Sequence, residues 1–257
     1  MHILTFRLSI FGDYKQYTPT SANSIAWTQA LQTAGYDFLP NIIQTTQQII
    51  NVPFVSAKFG SNDKRMQFVS PDGEVNIRIL AERVDVEFSL GASDTTEQYF
   101  TEKLPVASSI MNIMLATLGN VQGSRLAYYV DVIIPEAKDS SFADFYQANN
   151  LGIFVNNASE KCVEWSHKFN SRVPIKVDGS DELSNVILVL ESGILQTVNA
   201  VTGEQKEIKG LHIVADINTL AENKVIRFNS DSVNCFATHA QTLFLDLLRQ
   251  VKEKFTA

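Results

Sequence analysis

The side chains with the most chemical potential fall on two stretches of alternating sequence. Arg125, Tyr129 and Asp131 share one parity in the run from Arg125 to Ile134, and His212 and Asp216 share one parity in the run Leu211 to Ile217. If the two runs are neighbouring strands, these five residues collect on one sheet face, because successive strand side chains point to opposite sides. A carboxylate beside a histidine tunes the imidazole for proton transfer. The same set also suits a solvated or partner-facing sheet surface laced by ion pairs, and that is the reading carried forward. The five are therefore candidate binding residues, with no catalytic residue assigned.

Other chemistry is thinly represented. His2, His167, His212 and His239 are the only histidines, and Cys162 and Cys235 the only cysteines. Cys162 and His167 lie five apart, which places them on opposite faces of a strand. Cys235 and His239 are spaced i, i+4 on a helical pattern, where they share a side and, with His212, reach the minimum for a metal. Packing and surface roles fit them better, so neither a metal nor a cofactor is expected. The chain has no Gly-x-Ser-x-Gly elbow, Walker loop, dinucleotide glycine pattern or His-Glu-x-x-His. The run Asp178-Gly179-Ser180-Asp181-Glu182 reads as a turn rather than a calcium loop, since it lacks the length and the terminal bidentate glutamate.

The elements that must position these residues are legible from periodicity. Leu4, Phe6, Leu8 and Ile10 alternate with polar residues, as do Val75, Ile77, Ile79 and then Val84, Val86, Phe88. With the turn at Pro71-Asp72-Gly73, the span from Arg65 to Leu90 predicts an antiparallel meander. Val186 to Leu190 is apolar at every position, which predicts a central strand covered on both faces. Phe100, Leu104, Ala107, Met111, Met114 and Leu118 form a helical stripe with Pro105 inside it. Val233, Phe236, Ala240, Leu243, Leu247 and Val251 form a second, with Ser230 or Asp231 as its cap. Shorter helices are expected at Ser24 to Ala34, Leu39 to Ile50 and Ser141 to Gln147.

The expected fold class is α+β: two similar lobes, each a mainly antiparallel sheet packed on a long amphipathic helix. The first lobe spans residues 1–120 and the second 121–257, a repeat of layout rather than of residue identity. With 257 residues the chain is long enough to bury a core without staples. A formal charge of −7 argues against a protein built to grip a phosphate backbone, so nucleic acid is an improbable partner. No apolar stretch approaches the length of a membrane span and no secretory leader is evident, which leads to the expectation of a cytoplasmic protein.

The hairpin Met66-Gln67-Phe68-Val69-Ser70-Pro71-Asp72-Gly73, the mid-chain run Ser124-Arg125-Leu126-Ala127-Tyr128-Tyr129-Val130-Asp131 and the strand Leu211 to Ile217 before a helix with His239 and Phe244 resemble a known family. It is a sporadically distributed, functionally uncharacterised bacterial family of about 250-residue proteins. In that family an arginine stands where this chain has Tyr128, and an asparagine often where it has Asp131. The resemblance implies a partner protein and an accessory role in a multi-protein or mobile-element-associated system. Taken together, the expectation is a non-enzymatic module acting through a protein partner or self-association. The alternative is a small-molecule-binding protein with a pocket between sheet and helix.

Overall fold

A computed structural model describes residues 1–44, 48–52, 55–59, 64–89, 97–135, 166–198, 203 and 205–255. In chain order the elements are β1 (His2–Phe11), α1 (Ser21–Thr33), β2 (Leu39–Gln44), β3 (Gln48–Val52), β4 (Val55–Phe59), β5 (Lys64–Val69), β6 (Val75–Ile79) and β7 (Arg83–Ser89). There follow α2 (Gln98–Thr117), β8 (Arg125–Pro135), β9 (Ser166–Val177), β10 (Ser180–Val198), β11 (Gln205–Thr219) and α3 (Ser230–Phe255). Among the described residues nine strands form one sheet in the order β2-β5-β6-β7-β1-β8-β11-β10-β9, every pair antiparallel, while β3 and β4 form a separate hairpin. The α+β class and the antiparallel sheet are as the periodicity predicts. The strands from residues 1–120 lie on one side of the sheet and those from 121–257 on the other, joined where β1 pairs with β8.

One row of side chains crosses the sheet through the register Phe68–Ile77–Val86–Leu8–Tyr128–Ile217–Val186, and every member is buried. Against this face pack the helices. Trp27 and Leu31 of α1 are buried, with the Trp27 ring 6.4 Å from Phe68. All six residues of the expected stripe on α2 and its end are buried, and Ile110 and Leu115 join them. On α3 the buried apolar set is Val233, Phe236, Ala237, Ala240, Phe244, Leu248 and Val251, while Leu243 and Leu247 are only partly buried. The stripe is thus rotated by one position in the second half of that helix.

The two long helices meet over the β1–β8 seam. The Phe100 and Phe244 rings sit edge to face at 5.1 Å, Phe6 lies 6.2 Å from Phe100, and Tyr128 is 5.2 Å from Phe6. Such contacts add about 0.5–1.5 kcal/mol per pair to the burial itself. The Lys252 ammonium bonds Glu97 at 2.6 Å, tying the far end of α3 to the start of α2. Near Gly123 the chain needs glycine: it pairs with Phe228, and a Cβ there would lie 2.5 Å from the Phe11 carbonyl oxygen.

Several expectations are corrected. The helix expected over Leu39 to Ile50 is instead strands β2 and β3. Pro40 lacks a donor and the isoleucines at 42, 43, 49 and 50 favour extended backbone, so pairing with β5 prevails over the apolar spacing. Val186 to Leu190 lies on β10, next to the sheet's last strand, and Ile187, Leu188 and Val189 are only partly buried rather than covered on both faces. The cap of α3 is Asn229, whose side chain accepts from the backbone N–H groups of Asp231 and Ser232, while the Ser232 hydroxyl accepts from the Asn229 N–H. Of the two starts the stripe allows, near Leu104 with Pro105 in the first turn or about Asp94 with Pro105 inside, the second is nearer: α2 begins at Gln98 and contains Pro105. The helix expected at Ser141 to Gln147, and Cys162, lie outside the described residues. No helix among the described residues is long and apolar enough to cross a membrane.

The ring cluster predicts a large truncation cost. Phe100→Ala should lower the unfolding free energy by about 3–5 kcal/mol in urea titration; a loss below 1 kcal/mol means the helices are not anchored there.

Candidate functional site

The side chains of opposite parity form the helix-free face. Along it, register rows run Gln67–Arg78–Asp85–Ser9–Ala127–Asn218–Asn185 and Asn76–Glu87–Arg7–Tyr129–Asp216–Ile187. The sequence therefore places Arg125, Tyr129, Asp131, His212 and Asp216 on one face, as β8 and β11 are neighbours. They do not form one cluster.

His212 is the centre of the tightest group. Its Nε2 lies 2.6 Å from Asp131 Oδ1 and its Nδ1 lies 2.8 Å from Glu191 Oε1. A neutral imidazole carries one N–H, so one of these contacts would set a lone pair against a carboxylate; the doubly protonated ring satisfies both. The hydrogen bond to Asp131 raises the His212 pKa above its ordinary value, burial opposes it, and the bond to Glu191 adds to the rise. Glu191 faces His212 directly in the β10–β11 register. Sequence reasoning missed it because Val186 to Leu190 ends one residue earlier and nothing local reveals the register. Gly193 leaves the space, since a Cβ there would stand 2.7 Å from the His212 Cβ.

Tyr129 joins this group by donating its hydroxyl to Asp131 Oδ2 at 3.5 Å, whereas Asp216 and Arg125 are engaged separately. Tyr129 carries the Arg7 guanidinium over its ring at 4.7 Å, and burial followed by the Asp131 charge raises its hydroxyl pKa. Asp216 accepts from Asn218 Nδ2 at 2.8 Å, and Asn218 Oδ1 in turn accepts from Asn185 at 3.3 Å. Arg125 stands at the end of β8, where its guanidinium lies 4.6 Å from the Phe11 centroid.

Across the seam, β6, β7 and β1 hold a second charge network, whose carboxylates Asp85 and Glu87 sequence reasoning did not single out. Asp85 is completely buried, accepts from the Ser9 hydroxyl at 2.7 Å and lies 2.9 Å from Arg83 Nε. Glu87 bridges Arg7, at 3.3 Å, and Arg78. The alternation of Arg83, Asp85 and Glu87 with apolar residues was the available signal. What it lacked was the partner strand.

No three-ligand metal group occurs among the described residues. Cys235 Sγ is 3.9 Å from His239 Nδ1 on α3, while His212 is on the helix-free face, so these three do not converge. Chemically, the His212 group can hold a cation between two anions. It offers no free imidazole nitrogen to take a proton from a substrate.

The sign of the pH effect follows. A group with a raised folded pKa contributes stability that is complete below its unfolded pKa of about 6.5 and is lost as pH rises through the folded value. His212→Gln should therefore cost about 1–3 kcal/mol near pH 6, as expected for charge-assisted hydrogen bonds, and progressively less in alkali. Urea titrations across pH and an NMR titration of the ring measure this; an imidazole titrating below its ordinary pKa contradicts the clamp.

Compared with known proteins, the chain matches no family model and no curated protein.

Proposed function

We propose that this chain is a non-enzymatic interaction module that docks an extended, acidic segment of a partner protein along the outer edge of β9. The observation that carries the proposal is the character of that strand. β9 has 12 residues, ends the sheet order, and pairs with no strand on its outer side among the described residues. An unpaired edge of this length is a template for strand addition. Most of its residues are exposed, and Lys168, Arg172 and Lys176 share one face of it. Arg172 and Lys176 have Glu222 and Asp181 within 3.3 and 3.7 Å in exposed pairs, which an acidic segment would have to displace, and Lys168 supplies the excess cation that favours such a partner in the encounter.

The helix-free face adjoining this edge, with Arg125, Tyr129, Asp131, His212 and Asp216, forms the broader contact surface. Its charges are mostly paired within the sheet, which supports a binding role over proton-transfer chemistry. The mirrored strand orders β5-β6-β7-β1 and β8-β11-β10-β9, with α2 and α3 closing the halves, support an internal duplication across residues 1–120 and 121–257. The resemblance to the sporadically distributed bacterial family extends the proposal to an accessory component of a multi-protein or mobile-element-associated system.

A second reading, a small-molecule-binding protein, draws support from a cleft at the end of the sheet. The layer between sheet and long helices is filled there by the Phe6, Phe100, Tyr128 and Phe244 rings.

The test of docking is a comparison. Native and Lys168→Glu/Lys176→Glu chains would be incubated with source lysate, cross-linked and mapped. A partner captured by the native chain, cross-linked to residues 166–177 and lost at least tenfold in the double variant, is the expected result. A strictly monomeric protein by light scattering with no cross-link on β9 refutes it.

A further inference from the structure

One end of the sheet gathers the close of β1, the β6–β7 turn, the start of β8 and the segment after β11. Between them lies a cleft of about 500 Å³, within the range of small-molecule sites. Its charged walls are Lys15, Arg125 and Lys224 on one side of the balance and Asp13 and Glu82 on the other. The excess is one positive charge in a chain of formal charge −7. A second cleft of about 400 Å³ adjoins it through the shared Lys15, with Lys64 and Arg65 and no acidic residue in its lining.

Arg125 is the unusual member. Its neighbours on the same face each hold a carboxylate: Arg7 has Glu87, Arg78 has Glu87, and Arg83 has Asp85. Arg125 has no ion pair or hydrogen bond among the described residues; a buried Nε without an acceptor it shares with Arg7, Arg78 and Arg83, so the missing carboxylate is what sets it apart. Burial pulls its pKa below the ordinary arginine value. The two acids that act on it are engaged elsewhere, Glu222 with Arg172 at 3.3 Å and Asp216 with Asn218 at 2.8 Å. Stacking on Phe11 fixes the guanidinium plane, so little freedom remains to be lost when an oxyanion meets its fork. Arg125 is half-buried, so its guanidinium has lost part of its hydration without gaining a counter-charge, and an anion arriving from outside would offset that loss.

The rest of the lining indicates what accompanies the anion. Phe11, Ala81, Ala221 and Ile226 give an apolar wall, and Ser124 supplies a hydroxyl. We propose that this cleft binds a phosphate monoester carrying an apolar or ring-shaped body, with Arg125, Lys15 and Lys224 holding the phosphate. A guanidinium fork with two ammonium groups matches a dianionic, three-oxygen headgroup better than a single carboxylate. The site is separate from the β9 edge and stands whether or not that edge docks a partner.

Isothermal titration of the full chain at low salt, in a phosphate-free buffer, uses phenyl phosphate, inorganic phosphate and phenol as probes. Phenyl phosphate should bind saturably, more tightly than inorganic phosphate, and phenol should not bind. Arg125→Gln should weaken phenyl phosphate at least tenfold, with Arg125→Lys between the two. Lys224→Gln, in an exposed loop, should weaken it severalfold and gives a reading even if an Arg125 variant misfolds. Lys254→Gln, exposed near the end of α3, should leave it unchanged. Absence of saturable binding, or binding that survives both Arg125→Gln and Lys224→Gln, overturns the site. Equal affinity for inorganic and phenyl phosphate overturns the assignment of an esterified ligand.

Discussion

The pairing of β1 with β8 holds the molecule together. From His2↔Ile133 to Phe11↔Arg125 the first strand of the chain lies along the strand that opens the second half. Helix-side parity along this seam puts Phe6, Leu8 and Ile10 beside Val130, Tyr128 and Leu126, all without exposed surface. Above it α2 and α3 touch through Phe100 and Phe244. Below it Arg7 stacks on Tyr129. Because strand side chains alternate strictly, a slip of one residue would drive the aromatic row into water and the arginines into the core. One register therefore fixes both the packing of the helices and the layout of the polar face.

That polar face shows how an antiparallel sheet carries many charges at little net cost. Asp85 is fully buried yet surrounded by Ser9, Arg83 and Arg78. His212 sits between Asp131 and Glu191 in the same manner, with the signs reversed. In each case the central group is paired on more than one side, which offsets the desolvation a lone buried charge would suffer. Arg125 breaks the pattern, and it does so beside an open cleft rather than in the middle of the sheet.

Much of this architecture was legible before any coordinates. The meander from Arg65, the two amphipathic helices and the strands at Arg125 and Leu211 follow from periods of two and about three and a half, which depend on local sequence alone, whereas the adjacency of those last two strands was a condition that only the sheet register meets. The failures are non-local. Leu39 to Ile50 has apolar residues that fit a helix, and only the pairing of β2 with β5 makes it extended. Val186 to Leu190 suggests burial on both faces, yet the helices pack on one face of the sheet only, which leaves Ile187 and Val189 partly exposed. The same limit governed the polar residues. Parity placed five of them on one face, whereas Glu191, which closes the clamp on His212, became visible only through the pairing of β10 with β11. Asn229 was passed over as the cap because Ser230 and Asp231 are equally good capping types and the choice depends on where the backbone turns.

The unbroken sheet decides what becomes of the edge of its first strand. A free-standing 120-residue half would bare the long side of β1, a ten-residue strand rich in hydrogen-bonding groups and flanked by a greasy row. An edge of that kind is a template for pairing with any other strand. Here β8 covers it along its length, so the edge is closed within one polypeptide.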